Sequence, residues 1–146
     1  MGVRLEGAER LSRALKRLGP ENVQAIEGAL DKGAEEVATR ARSIVPKQTG
    51  ELANAIEVRS SLDGLNLSGI LARQAGKQDR LSRFVGIFPE SRGSPGWYGL
   101  FVEFGTSKAP ARPYLLPAFY SLKKRVTGRV KRAINKASRA VASSRG

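Results

Sequence analysis

The chain has 146 residues, 40% of them hydrophobic, and a net charge of +13. This length fits a single domain with a modest core, and the absence of a long apolar run excludes a membrane-spanning helix. The absence of cysteine and histidine excludes disulfides, thiolate or imidazole metal sites, and Ser-His-Asp or Cys-His catalysis.

Two helices are predicted in the N-terminal third. The first covers roughly Ala8 to Leu18, and Gly19-Pro20 breaks it. The second begins at Pro20, which suits the first helical position, and is ended by Pro46. Its apolar residues keep helical spacing and its charges fall mainly on the other face. They are Val23, Ile26, Leu30, Ala34, Val37, Ala41 and Ile44.

The middle of the chain predicts short strands. Thr49 and Glu51 favour the start of a brief helix, because Thr49 can cap free backbone N–H groups. Alternating residues then predict a strand over Ile56–Ser60, followed by the turn signal Asp63-Gly64. Residues 65–71 form a partner strand in this interpretation, and residues 84–88 a third. Trp97 to Phe104 is a short aromatic segment for which periodicity leaves helix and strand both open.

A last helix, opened by Pro117, is predicted from its apolar stripe, and Gly128 weakens it. Residues 104–146 contain 11 Lys and Arg and no Asp or Glu, so almost the whole net charge lies in this third of the chain. Such an asymmetry indicates an anionic partner. The basic face consists of Lys123, Lys124, Arg125, Arg129, Lys131, Arg132, Lys136 and Arg139.

Together these elements predict an α+β fold. A small antiparallel sheet of three or four strands packs against the two N-terminal helices and a C-terminal helix. We expect residues 1–120 to form one α+β domain and residues 121–146 a basic C-terminal helix with a frayed tail.

Three segments carry a family resemblance. They are Ala41 to Leu52, with the pattern A-x-x-x-x-P-x-x-T-G-x-L; Tyr98 to Thr106, with Y-x-x-x-V-E-F-G-T; and Arg112 to Phe119, with R-P-Y-L-x-P-A-F. In this order, over roughly residues 1–125, the chain resembles the siphophage neck proteins, also called tail-completion or head–tail joining proteins. The basic extension from Lys123 to Arg145 departs from that family.

The resemblance implies a structural protein of the virion neck, synthesised in the host cytoplasm, without enzymatic activity or cofactor. It implies as partners copies of the chain in a ring, the adjoining head connector, and a tail-tube or tail-terminator protein. It does not separate a neck subunit from a tail terminator, and ring stoichiometry stays open.

Glu103 and the segment after it are the candidate protein-interaction residues. If Val102–Phe104 is a strand, Glu103 points outward. It is then either an ordinary surface residue of a core strand or an ion-pair partner of Arg112 or of a neighbouring subunit. No second carboxylate or nucleophile lies near it in sequence, which disfavours acid–base catalysis. Prolines stiffen the next segment, which packs on its own core or on an adjacent subunit. Its contact residues are Arg112, Pro113, Tyr114, Leu115 and Leu116.

The basic helix leaves three interpretations open. It is a solvated face, a surface near DNA that touches phosphates without sequence choice, or a docking face for an acidic protein surface. Residues 121–146 contain no aromatic residue, which disfavours base stacking on a single strand. The alternative function is therefore a small basic protein that binds nucleic acid non-specifically.

Overall fold

The computed structural model describes residues 13, 16–46, 50–60, 81–87 and 96–144. Four helices and two strands are found in this part of the chain. In chain order they are α1 (Pro20–Ile44), α2 (Glu51–Ala55), β1 (Ile56–Arg59), β2 (Phe84–Ile87), α3 (Gly96–Phe104) and α4 (Leu115–Ser144).

Helix α1 confirms the second predicted helix. Pro20 occupies its first turn together with Glu21, where a negative charge favours the helix dipole. The helix ends where the Val45 N–H donates to Ala41 O (2.9 Å), immediately before Pro46. One face is buried and is made mostly of small residues, which lets a second helix approach closely. It comprises Ile26, Ala29, Gly33, Ala34, Val37, Ala38 and Ala41.

Helices α1 and α4 pack side by side in antiparallel directions. Ile26 shares a small core cluster with Ala137, Gly33 faces Val126, and further along α1 Ala38 and Ala41 share the main core with Ala118. The approach is closest at Gly33, where an added Cβ would lie 2.6 Å from Val126 Cγ1. The predicted weak point of α4, Gly128, lies inside a continuous helix.

The sheet is smaller than predicted. Strands β1 and β2 pair antiparallel with Ile56 opposite Ile87 and Arg59 opposite Phe84. They confirm two of the predicted strands, but the three- or four-stranded sheet is wrong, because the described residues form two strands and are mostly helical. The predicted strand over residues 65–71, the Thr49 cap and most of the first helix lie outside the described residues.

The aromatic segment is the helix α3, so the strand interpretation of Val102–Phe104 is wrong. A short apolar run fits a buried strand and a buried helix equally well, and contacts from elsewhere in the chain decide between them. The last helix begins at Leu115, two residues before Pro117. Proline is tolerated there because the first turn of a helix needs no amide hydrogen.

Candidate functional site

The site is built around the carboxylate of Glu103, at the end of α3. Glu103 Oε2 accepts hydrogen bonds from the backbone N–H groups of Tyr114 (2.8 Å) and Leu115 (2.9 Å), and Oε1 accepts one from Leu116 (3.0 Å). These are the free amides at the N-terminus of α4, where a negative charge also favours the helix dipole. Glu103 is 5% exposed, so its side chain fixes the start of α4 from inside the protein.

The Tyr114 side chain, just before α4, makes a second contact with α3. Its ring is buried in the main core, and its hydroxyl donates to Gly99 O (3.1 Å) on α3. Burial, together with the nearby Glu103 carboxylate, raises the pKa of Tyr114 to about 12. Four hydrogen bonds thus join the start of α4 to α3, all of them donated by residues 114–116 and accepted on α3.

The loop between α3 and α4 is tightly folded. Gly105 ends α3 with a φ of +76°, and its N–H donates to Phe101 O (2.8 Å). Thr106 Oγ1 accepts from the N–H groups of Lys108 (3.2 Å) and Ala109 (3.0 Å), which bends the chain back. The Arg112 N–H then donates to Val102 O (2.8 Å), so the returning segment lies against α3.

The first of the three sequence patterns meets the other two in the core. Leu52 on α2 is buried beside Tyr114, and both side chains lie close to Gly99. A Cβ at Gly99 would come within 3.0 Å of the Tyr114 hydroxyl and 3.5 Å of Leu52 Cδ2. On the surface, the Tyr98 hydroxyl donates to Glu51 Oε2 (3.3 Å). The residues that carry the resemblance therefore form one structural unit.

The structure separates the predicted interaction residues into three groups. Arg112 and Pro113 are exposed, Leu115 and Leu116 are half-buried, and Glu103 and Tyr114 are buried. Among the described residues, no ion pair joins Glu103 to Arg112, and the Glu103 oxygens are instead taken by backbone donors. An interaction role for these residues stays a prediction.

The capping role of Glu103 was missed from the sequence. One signal for it existed, because Pro117 marks a helix start that lacks a Ser, Thr, Asp or Asn cap of its own. A helix start without a local cap must be satisfied from elsewhere in the chain.

Apolar surface remains exposed beside this unit. Phe101 is 48%, Phe104 64% and Tyr120 54% exposed. Phe101 lines an open groove of about 540 Å³ together with Pro46, Tyr98, Pro110 and Arg112 among others. Phe104 and Leu116 line a smaller depression of about 180 Å³, and Leu116 lies one helical turn before Tyr120. We call the three aromatic residues Phe101, Phe104 and Tyr120, together with the neighbouring Leu116, the aromatic surface.

The basic face of α4 is not uniform. Arg129 Nη2 contacts Glu36 Oε1 on α1 (2.7 Å), and Arg125 Nε lies 3.4 Å from Glu36 Oε2. The hydrogen bond from Arg129 holds the pKa of Glu36 below its ordinary value and raises the pKa of Arg129. The other six basic side chains are exposed. They are Lys123, Lys124, Lys131, Arg132, Lys136 and Arg139.

Neither a metal site nor a membrane span is found in the part of the chain that the structure describes. No group of three or more acidic residues is arranged there to hold an ion. None of its helices combines the length and the apolarity that crossing a bilayer requires.

Comparison with known families gives a match over about two thirds of the chain. The family model described as "Bacteriophage HK97-gp10, putative tail-component" matches residues 9–105, which include α1 to α3 and most of the structural unit around Glu103. No curated protein and no solved structure matches the chain significantly.

Proposed function

Because the chain belongs to the HK97-gp10-like family of phage tail components, we propose that it is a non-enzymatic subunit of the neck that joins the head connector to the tail. It acts in the virion, as part of a ring of identical copies that meets the connector on one side and a tail-tube or tail-terminator protein on the other. The observation that carries the proposal is the use of Glu103, the central acidic residue of the resemblance, as a structural cap.

The capping geometry supports a structural role because the backbone engages both carboxylate oxygens of Glu103. Each of its carboxylate oxygens already accepts at least one backbone N–H within 3.0 Å. A general acid or base needs to reach a substrate proton, and a carboxylate that is 5% exposed and held by three of the chain's own amides is poorly placed for this. Its contribution is to hold α3, the connecting loop and α4 in one fixed relation.

The aromatic surface lies on the two helices, α3 and α4, that Glu103 holds together. Aromatic residues that stay exposed on a rigid support are typical of protein–protein interfaces. Two copies are not expected to meet basic face against basic face, because like charges repel. The aromatic surface lies on α3 and the first turns of α4, ahead of the basic residues, and we assign it to the contact between copies in the ring.

Removal and restoration of the protein in a phage that encodes it tests the function. Deleting its gene is expected to give filled heads and complete tails that stay separate in electron micrographs. Adding the purified protein to a mixture of these heads and tails is expected to restore joined, infectious particles. Joined particles without the protein would contradict the proposal.

A surface variant tests the assigned contact separately. Phe104→Ser combined with Tyr120→Ser removes two aromatic side chains that are more than half exposed, and we expect loss of head–tail joining from a chain that stays folded. Lys108→Ser, in the exposed loop between α3 and α4, is the matched control and is expected to join normally. If the aromatic variant restores joining as well as the wild type, the contact lies elsewhere.

The second candidate function is a small basic nucleic-acid-binding protein that acts outside the particle. The exposed cations of α4 favour it. It predicts that phage lacking the protein still joins heads to tails, and that the missing activity is recovered by a variant with an altered aromatic surface. The complementation experiment therefore separates the two functions.

A further inference from the structure

The basic residues of α4 divide by what they contact. Arg129 is 18% exposed, donates to Glu36 on α1, and has its Nη1 atom buried. Arg125 also faces Glu36. These two arginines share the single carboxylate of Glu36, which offsets one of their two positive charges and joins α1 to α4. Arg129 is therefore committed to the fold and contributes little charge to a partner, whereas Arg125 is 66% exposed.

Four other cations lie on the side of α4 that points away from α1. Lys124, Lys131, Arg132 and Arg139 follow each other at intervals of seven, one and seven residues, and this spacing keeps them on one face of a helix. All four are exposed, and no ion pair to them occurs within the described residues. At 1.5 Å per residue, the face is about 22 Å long. We call these four residues the outward face.

The surroundings of the outward face distinguish between partners. The residues between and beyond these cations on the same face, Gly128, Asn135 and Ala142, are small or neutral, so no large apolar or aromatic side chain lies among the four cations. The nearest exposed aromatic residue, Tyr120, lies one turn before Lys124, at the end of the face. Protein interfaces depend on such anchors, whereas contacts to phosphates need only cations and hydrogen-bond donors. Single-stranded nucleic acid is disfavoured too, because its binding depends on aromatic stacking. A duplex backbone, with one charge per about 1.7 Å of axis, fits a straight row of cations.

We propose that the outward face of α4 binds the phosphate backbone of duplex DNA without sequence preference, while Arg129 does not take part. The inference rests on the proposed function for the place of contact, which is the head–tail junction through which the genome leaves the head. The proposal thereby gives a partner to the outward face, which the contact between copies through the aromatic surface does not use.

Truncating α4 cannot test this proposal, because the helix carries part of the core. Ala137 is 3% exposed and Val126 packs on Gly33, so a chain ending near Tyr120 loses its contacts with α1. Charge-neutralising variants of the full chain avoid the difficulty. The first variant changes all four residues of the outward face to glutamine. A matched control changes four exposed cations elsewhere, Lys16, Arg17, Arg40 and Lys108, and so removes the same net charge.

Binding of the purified proteins to a labelled duplex of mixed sequence is measured by fluorescence anisotropy over a salt series. Four phosphate contacts predict a log–log salt slope of about −3.6, so wild-type affinity falls about 100-fold between about 50 and 200 mM salt. The outward-face variant is expected to lose most of this slope, whereas the control keeps it. Arg129→Gln is expected to keep the slope and lower the urea midpoint of unfolding.

Several results would overturn the proposal. They are a control that weakens as much as the outward-face variant, a single strand bound more tightly than the duplex, and polyglutamate bound as tightly as the duplex through the same four residues. Equal urea midpoints for wild type and outward-face variant show that lost binding is not lost folding. Because the assay uses purified protein and DNA alone, its failure leaves the head–tail joining experiment unaffected, and a failed joining experiment leaves this measurement interpretable.

Discussion

Glu103 and Pro117 together leave no free amide at the start of α4. Glu103 accepts the N–H groups of Tyr114, Leu115 and Leu116, and the next residue, Pro117, has no amide hydrogen. The following N–H, of Ala118, begins the regular helical pattern by donating to Tyr114 O (3.4 Å). A 30-residue helix that most of the core depends on is thus started by a side chain from another helix.

Removing this cap is expected to destabilise the whole chain. Glu103→Ala leaves three amides without an acceptor, at least one of them buried, and we expect the free energy of unfolding to fall by about 3 kcal/mol or more. Glu103→Gln keeps one acceptor oxygen and is expected to lose roughly half as much. Urea unfolding followed by circular dichroism measures both. The exposed Glu57→Gln is the control, and a Glu103→Ala chain as stable as this control would refute the capping role.

Two glycines of α1 are expected to respond in opposite directions to alanine. Gly28 has open space around it, so Gly28→Ala should stabilise the helix by up to about 1 kcal/mol. Gly33→Ala places a Cβ 2.6 Å from Val126 Cγ1, and the stiff valine side chain yields poorly, so we expect a loss of about 1–2 kcal/mol.

Thermal or urea unfolding of both alanine variants measures this difference. Adding Val126→Ala to Gly33→Ala should recover part of the loss, because the smaller side chain removes the clash. Strictly additive single and double variants would show that Gly33 and Val126 do not meet.

Gly105 is expected to tolerate alanine less well than Gly50, although both have positive φ angles, +76° and +74°. The left-handed conformation costs an alanine about 1–2 kcal/mol at either position. At Gly105 the new Cβ would also lie 2.7 Å from the Ala111 backbone nitrogen, whereas nothing lies within 4 Å at Gly50. Unfolding free energies of the two variants should therefore differ by more than the conformational cost alone. Equal losses of unfolding free energy in the two variants would mean that Gly105 does not approach the Ala111 backbone this closely.

The raised pKa of Tyr114 predicts a loss of stability in alkali. Its folded-state pKa of about 12 lies above the ordinary value of 10.0, so its contribution is fully present below about pH 10 and is lost as the pH rises through 12. This difference in pKa between the folded and unfolded chain corresponds to about 2–3 kcal/mol of stability. Unfolding free energies between about pH 9 and 12 should fall more steeply for the wild type than for Tyr114→Phe. Parallel curves would mean that the hydroxyl is not buried.

Local sequence signals predicted the long α1 and the two short strands. Their causes lie within the segments themselves, in the helical spacing from Val23 to Ile44, the Pro20 start and Pro46 stop, and the alternation at Ile56–Arg59. The composition also removed whole classes of chemistry before any fold was known. The three patterns that carry the resemblance indicated the family, which the match over residues 9–105 confirms.

The sequence by itself determined where helices could form, which chemistry was excluded and that the C-terminal third is basic. Only the tertiary structure decided that residues 96–104 are a helix, that Glu103 caps α4, and that Arg129 pairs with Glu36 while no other described residue forms an ion pair with the outward face. The physical reason is that propensity and periodicity act over a few neighbouring residues. A buried carboxylate and a paired arginine are instead defined by partners that are distant along the chain, and these are brought together only when α1, α3 and α4 pack.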